Sequence, residues 1–145
     1  VKAGMRVLDL GCGSGILSIA ALLLGAESAF ACDIDEKAVG VAYENAALNG
    51  IGKDRYAVRA GDVLADEGLR REMGGDYDIV AANIVSDVII ALAPAVRGWM
   101  KEGGLFLTSG IIDARAGEVR EKLEAAGFAV EEAGCSEGWY GFLCR

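Results

Sequence analysis

The sequence has no histidine, a single proline and only four cysteines, and these scarcities exclude several kinds of site. Without histidine, and with no C-x-x-C spacing among the cysteines, metal binding is poorly supported and no metal is expected. Free, reduced thiols in a cytoplasmic protein are the default for such a pattern. No apolar run approaches the ~20 residues that cross a membrane, so no membrane span is predicted.

Basic residues are also in deficit. The chain has 14 Lys and Arg against 22 Asp and Glu, which gives a formal net charge of −8 at pH 7. A surface of this sign repels phosphate backbones, so direct nucleic-acid binding is not expected. It accommodates a cationic cofactor or a basic protein partner more easily, although an acidic balance also serves simply to keep a small domain in solution.

The length of 145 residues, with a hydrophobic fraction of 53%, fits one domain with a filled core that spans residues 1–145. The N-terminus has no signal-peptide pattern. Since the first residue is not methionine and strand-like sequence begins almost at once, we expect a domain of a longer protein. In that interpretation, a region upstream of Val1 selects the substrate.

Strand and helix signals alternate along the chain. Five strand–helix repeats predict a mainly parallel sheet with helices on both faces. No helix separates the last two strands, so these are expected to pair antiparallel. The predicted strands are 7–10, 28–33, 55–60, 78–83, 105–109, 128–133 and 139–144, and the predicted helices are 16–24, 36–48, 66–73, one that follows 86, and 113–126.

Capping and breaking residues mark several helix ends. Asp35 is a suitable N-cap for the second helix, and Asn49-Gly50 ends that helix by the left-handed route. Ser86 is predicted to cap the helix that follows it. Pro94 falls where this helix should continue, so a kink or a restart is expected there.

The segment Val7–Gly15 combines a short buried strand with a glycine turn that opens a helix. Gly11, Gly13 and Gly15 allow a ligand to approach the backbone closely, beside the positive end of the helix. The glycine spacing differs from the dehydrogenase pattern G-x-G-x-x-G, because Ile16 occupies the position of its third glycine. Asp9 precedes the loop, and Cys12 is interpreted as a small packing residue whose backbone faces the ligand.

Acidic residues follow the second and third strands. Asp33, 22 residues after Gly11, can accept hydrogen bonds from both hydroxyls of a ribose. Capping of the next helix is the alternative, for which Asp35 is better placed. Asp62 can accept an adenine amino group or act as a turn residue, and Ile34 and Val63, which directly follow the two acids, are further candidate cofactor contacts.

Asn83 ends the fourth strand, where the strand order is expected to reverse and a crevice to open. Its carboxamide offers donors and an acceptor. It can therefore hold the carboxylate or amine of a cofactor, or present a substrate nitrogen for reaction. A simple turn or cap at the strand end is the alternative role.

Several motifs together resemble the bacterial ribosomal protein L11 methyltransferase family. They are D-L-G-C-G-S-G-I-L-S-I-A-A at 9–21, C-D-I-D at 32–35, E-N-A-A-L-N-G at 44–50, A-N-I-V-S at 82–86 and L-A-P at 92–94. The glycine motif is common to class I methyltransferases, whereas the combination of E-N-A-A-L-N-G with the Asn-Ile motif is more specific. The likeness covers the whole chain, but only the C-terminal catalytic domain of the family.

The resemblance implies a Rossmann-like, seven-stranded class I methyltransferase fold, mainly parallel with an antiparallel last strand. It implies S-adenosyl-L-methionine as cofactor, with S-adenosyl-L-homocysteine as product, and methylation of amino groups of a large-subunit ribosomal protein. By position, Gly11, Gly13 and Gly15 resemble the loop under the methionine part, Asp33 the ribose acid, Asp62 the adenine contact and Asn83 the active-site asparagine. Family members also carry an N-terminal substrate-recognition domain, and we expect that these 145 residues do not include it.

Three alternatives remain open at this point. The same cofactor can serve a small-molecule or RNA acceptor, although Ile84-Val85-Ser86 lacks the aromatic residue that stacks on a planar base. An NAD-dependent oxidoreductase is disfavoured by the glycine spacing and by the absence of histidine. A non-catalytic binding module is the third. The sequence singles out no general base and no oligomeric state.

Overall fold

The structure, a computed structural model, describes residues 1–145 and consists of alternating strands and helices. The first half contains β1 (Arg6–Leu10), α1 (Ile16–Leu23), β2 (Ser28–Asp33), α2 (Glu36–Leu48), β3 (Tyr56–Ala60) and α3 (Glu67–Met73). The second half contains β4 (Tyr77–Asn83), α4 (Ser86–Val96), a 3-10 turn (Arg97–Trp99), β5 (Met100–Ile112), α5 (Asp113–Ala125), β6 (Val130–Ser136) and β7 (Trp139–Cys144). None of the helices combines the length and apolar character needed to cross a bilayer.

All seven strands form one sheet in the order β3-β2-β1-β4-β5-β7-β6. The strands from β3 to β5 are parallel, whereas β7 runs antiparallel to both β5 and β6. The predicted architecture is confirmed. The strand order reverses between β1 and β4, and this switch point is where an open α/β sheet forms a crevice at its carboxyl edge.

Two apolar clusters fill the two faces of the sheet. Alternation along β1 sends Val7 to the cluster shared with α1 and α2, and Leu8 to the cluster shared with α3, α4 and α5. β4 does the same with Ile79 and Val80. Each fully buried aliphatic side chain contributes about 1.5–3 kcal/mol, so the central strands are held from both sides.

The predicted helix ends around α2 are confirmed. The side chain of Asp35 accepts a hydrogen bond of 2.9 Å from the Lys37 N–H at the start of α2. At the other end, Gly50 has a φ of +69°, and the Ile51 N–H reaches back to the Ala46 carbonyl. This is the left-handed ending for which glycine is favoured.

The predicted cap at Ser86 and the restart alternative at Pro94 were wrong. Ser86 is the first residue of α4, not its cap, and no side-chain cap bond forms there. The helix does not restart at Pro94 but runs through it to Val96. Because Leu92 and Val96 are buried against the sheet, their packing outweighs the one backbone hydrogen bond that proline cannot donate.

The last strands are longer than predicted or displaced. β5 extends to Ile112, well beyond 105–109, because Ile111 and Ile112 pair with the first residues of β7. β6 begins at Val130 and runs to Ser136, so Phe128 belongs instead to the turn that follows α5, where it is buried. These boundaries depend on partner strands and are not marked by composition.

The amino ends of β1, β4 and β5 are joined by one carboxylate. Oδ2 of Asp78 accepts a hydrogen bond of 2.9 Å from the Arg6 N–H, and Oδ1 lies 3.3 Å from the Lys101 ammonium. The Arg6 N–H bond is the main cause that holds the pKa of the Asp78 carboxyl below its usual range. The charged form of Asp78 is therefore favoured by folding.

We expect Asp78→Asn to lower the free energy of unfolding by about 1 kcal/mol at pH 7, because the bond from Arg6 loses its charged acceptor. A lowered folded-state pKa contributes stability above the unfolded pKa of about 3.9 that is lost as the pH falls through the folded value. The difference from wild type should therefore shrink below about pH 4. Urea unfolding at pH 7, 5 and 3 measures it, with the exposed, unpaired Glu121 changed to Gln as control. A difference at pH 3 as large as the one at pH 7 would contradict this account.

Candidate functional site

A hollow of about 340 Å³ opens at the carboxyl edge of the sheet, on the β2 and β3 side of the switch point. Five of the predicted site residues line it, and most of the other lining residues are apolar side chains that follow β3 and β4. The predicted ones are Gly11, Asp33, Ile34, Asp62 and Val63; the others include Leu10, Leu64, Ile84, Val85, Val88 and Leu92.

The three loop glycines are all left-handed, with φ of +70°, +51° and +80°, but for different reasons. A Cβ on Gly11 would collide with Cγ2 of Ile84, and one on Gly15 would lie 2.6 Å from the Tyr56 hydroxyl. Around Gly13 there is no atom within 4 Å of the corresponding position. Gly11 and Gly15 thus serve internal packing, although Gly11 also lines the hollow; Gly13 has open space on its Cβ side but is not part of that lining.

Asp9 lies beneath the loop and does not reach the hollow, although it was predicted among the cofactor contacts. It is 1% exposed, and its Oδ2 accepts hydrogen bonds from the Ser18 N–H at 3.1 Å and the Ser18 hydroxyl at 2.7 Å. The same hydroxyl lies 2.8 Å from the hydroxyl of Tyr56. Burial raises the pKa of the Asp9 carboxyl, against the two bonds from Ser18, which favour its charged form.

This buried chain of hydrogen bonds was not foreseen. One indication of a buried hydrogen-bonding role for Ser18 was available in the sequence, since it is the only polar side chain in the apolar run 16–24 that begins α1. There was no such indication for Tyr56, because aromatic residues are common in strands. Together the two residues tie β1, α1 and β3 to the loop from below.

Cys12 is a buried packing residue, as predicted. Burial raises the pKa of its thiol to about 12, and has the same effect on neighbouring Cys32. Both sulfurs are therefore protonated near neutral pH, and neither is a nucleophile there.

Asp33 joins two segments at the end of β2. Its Oδ2 accepts a hydrogen bond of 2.8 Å from the Gly13 N–H, and its Oδ1 accepts one of 2.9 Å from the Asp35 N–H. The helix cap is Asp35, so the capping alternative for Asp33 is wrong. A carboxylate offers about four acceptor positions, which leaves about two directed elsewhere. The adjoining Ile34 side chain is 80% exposed at the rim of the hollow.

Asp62 plays the turn role and retains a free oxygen. Its Oδ1 accepts a hydrogen bond of 2.9 Å from the Leu64 N–H. No hydrogen bond within the chain engages its Oδ2, and the residue lines the hollow beside the buried Val63. The turn role therefore does not preclude ligand binding.

Asn83 ends β4 opposite Ser109 and is exposed, and its side chain makes no hydrogen bond within the chain. It lies beside the hollow and not in its lining, whereas the next residue, Ile84, is part of that lining and packs against Gly11. The structure thus places Asn83 at the end of β4, and it is the neighbouring Ile84 that packs against the glycine loop.

Comparison with known proteins decides the family. A family model for ribosomal protein L11 methyltransferase (PrmA) matches residues 1–145. A protein of Agathobacter rectalis named ribosomal protein L11 methyltransferase is 43% identical over 139 residues, which covers 95% of this chain. The chain belongs to the ribosomal protein L11 methyltransferase family. Membership in this family removes the oxidoreductase alternative.

Solved structures agree with the L11 methyltransferase assignment. The ribosomal protein L11 methylase of Lactobacillus delbrueckii subsp. bulgaricus has a TM-score of 0.88 at 33% identity, covering 98% of this chain and 70% of that one. A putative methyltransferase complexed with SAH has a TM-score of 0.82 at 16% identity, covering 98% and 45%, which shows the shared fold alone. The chain spans less than half the length of the curated relatives it matches.

The close contact between Gly11 and Ile84 makes a stability prediction. Gly11→Ala should lower the free energy of unfolding by about 2–4 kcal/mol, because it adds overpacking against Ile84 to the cost of a left-handed alanine. Gly13→Ala is the matched control and should lose only about 1–2 kcal/mol, since its Cβ meets open space. Urea unfolding followed by circular dichroism compares them.

The cause can be isolated with Ile84→Ala, which removes the colliding methyl group. In that background, Gly11→Ala should cost no more than Gly13→Ala does. If Gly11→Ala and Gly13→Ala lower the free energy of unfolding equally when Ile84 is left unchanged, the contact between Gly11 and Ile84 is unimportant.

Proposed function

We propose that this chain is the catalytic domain of an S-adenosyl-L-methionine-dependent methyltransferase that acts on amino groups of ribosomal protein L11. The observation that carries the proposal is the match of the whole chain to the L11 methyltransferase family. The longer relatives are named ribosomal protein L11 methyltransferase, and this chain covers less than half of the length of each. Selection of the ribosomal protein is therefore proposed to lie in the part of those relatives that this chain does not match.

The hollow suits an adenosyl ligand in size and chemistry. Its volume of about 340 Å³ and its mostly apolar wall with a few polar groups are typical of a small-molecule site. We assign the remaining acceptor positions of Asp33 to the ribose hydroxyls and the free Oδ2 of Asp62 to the adenine amino group. Ile34 and Val63, which line the hollow, would contact the adenine, and the loop at Gly13, which lies outside the lining, would approach the methionine part.

The other predicted cofactor residues act through the shape of the loop. Asp9 holds the loop from beneath by way of Ser18. Gly11 and Gly15 permit the tight packing of Ile84 and Tyr56, and Cys12 fills the space under the turn. These residues keep the backbone of the loop in place, and we assign their side chains no direct contact with the cofactor.

When bound, S-adenosyl-L-methionine supplies a methyl group on a positively charged sulfur. The chain's task is orientation, which is worth as much as about 7–11 kcal/mol in favourable cases. The carboxamide oxygen of Asn83 accepts a hydrogen bond from the acceptor nitrogen and so directs its lone pair. A lysine amine, with a pKa near 10.4 in water, first gives up its proton to solvent water, since the neutral Asn83 amide cannot take it up.

The negative charge of the chain suits this acceptor. A ribosomal protein is basic, and a domain with a net charge of −8 attracts it over a Debye length of about 8–10 Å. We accordingly propose a basic protein as the partner, and the cytoplasm as the compartment in which the two meet.

Calorimetry with S-adenosyl-L-homocysteine tests the site. We expect Asp33→Ala to weaken binding by about 10- to 100-fold, because two hydrogen bonds to a charged acceptor are lost. Asp35→Ala is the matched control two residues away. It removes the α2 cap at a cost of about 1 kcal/mol in stability and should leave the affinity within about twofold.

Equal affinity of wild type and Asp33→Ala would remove Asp33 from the site. Binding of NADH with no binding of S-adenosyl-L-homocysteine would overturn the proposed function itself. Methyl transfer from labelled S-adenosyl-L-methionine to ribosomal protein L11 then tests the acceptor.

A further inference from the structure

The residues at the end of β4 lie between two left-handed glycines from neighbouring segments. Gly11, in the loop after β1, has a φ of +70° and packs against Ile84. Gly110, in β5 on the other side, has a φ of +77° and packs against both Asn83 and Ile84. Gly11 belongs to the glycine motif, whereas Gly110, which is also left-handed, lies outside the family motifs.

The contacts at Gly110 are too tight for a Cβ unless neighbouring atoms shift. A Cβ there would lie 2.9 Å from Oδ1 of Asn83, 3.1 Å from the Ile84 carbonyl oxygen and 3.3 Å from the Ile84 nitrogen. Two of these three atoms are backbone and do not move freely. The pairing of β5 with β7 also shifts register between Thr108 and Ile111, which brackets this glycine.

The carboxamide of Asn83 lies against Gly110. It makes no hydrogen bond within the chain and is exposed, so no polar partner restricts its rotation. Its oxygen lies directly against the space that a Cβ on Gly110 would occupy. A glycine at this point lets the amide settle against the backbone of β5, whereas any other residue displaces it toward solvent.

We infer that Gly110 is a positioning residue for methyl transfer, because it provides the surface against which the Asn83 amide rests. This inference rests on the proposed function, in which that amide orients the acceptor nitrogen. Gly110 is not among the residues that line the hollow, so it affects the transfer step and not the binding of the adenosyl group.

Gly110→Ala tests the inference. We expect kcat for methylation of ribosomal protein L11 to fall by at least about tenfold, since a displacement of up to 1 Å can cost about 100-fold in rate. The Kd for S-adenosyl-L-homocysteine should stay within about threefold of wild type. A kcat close to wild type in a folded Gly110→Ala protein would overturn the inference.

Gly103→Ala is the matched control. Gly103 lies in the same strand with a φ of +74°, and no atom lies within 4 Å of its Cβ position. The backbone cost of alanine is therefore similar, while Asn83 is not touched. An equal fall in kcat in this control would assign the effect to general backbone strain and overturn the inference.

A readout that needs no turnover comes from nuclear magnetic resonance. The side-chain amide signals of Asn83, assigned by their absence in Asn83→Ala, should shift in Gly110→Ala and remain in place in Gly103→Ala. Unchanged Asn83 signals in Gly110→Ala would contradict the inference. If Gly110→Ala does not fold, Asn83→Gln moves the same amide outward by one methylene, and retention of wild-type kcat by that variant would overturn the inference.

Asn83→Ala separates the inference from the function. In that background, Gly110→Ala should have no further effect on kcat. If Asn83→Ala is slow and Gly110→Ala is as fast as wild type, the proposed function stands and the inference fails. If Asn83→Ala itself turns over at the wild-type rate, the role of the amide fails, and the inference fails with it.

Discussion

A buried chain of hydrogen bonds from Asp9 through Ser18 to Tyr56 supports the carboxyl edge of the sheet. It links β1, α1 and β3 under a loop whose glycines all have positive φ. The loop is also held from β2 and α2: the Cys32 carbonyl accepts hydrogen bonds from the Gly11 and Cys12 N–H groups, and the Asn45 amide donates one to the Ser14 carbonyl. Because Asp9 is buried, its carboxylate is stable only with its hydrogen-bonding partners. The hydrogen-bond network and the glycine loop above it therefore depend on one another.

Close packing connects the loop to the segment that contains the candidate catalytic residue, Asn83. Gly11 admits Ile84, Gly110 admits the Asn83 amide, and Asp33 holds the Gly13 N–H from the other side. These contacts join the segments that follow β1, β2 and β4 and, through Gly110, strand β5. The site is therefore the meeting point of four short segments, and none of them is ordered by its own sequence alone.

Local signals accounted for much of the fold. The bounds of β2, α2 and β7 follow from apolar runs, a capping aspartate and glycine, and these agree with the structure. The signals failed where pairing or packing decides the outcome: β5 is lengthened by β7, and α4 continues through Pro94 because Val96 is buried. A pattern read along one segment contains no information about the partner that the segment will meet.

For the site, the sequence by itself determined which residues are present at the strand ends: the glycine loop, Asp33, Asp62 and Asn83, in an order typical of the family. Chain order and the alternation of strands and helices suffice for that, because parallel strands bring their carboxyl ends to one edge. Only the tertiary structure decided that Asp9 faces inward, that Asp33 holds Gly13, and that Gly110 supports the amide of Asn83. Those roles depend on distances between segments far apart in the chain, and close packing, not composition, sets such distances.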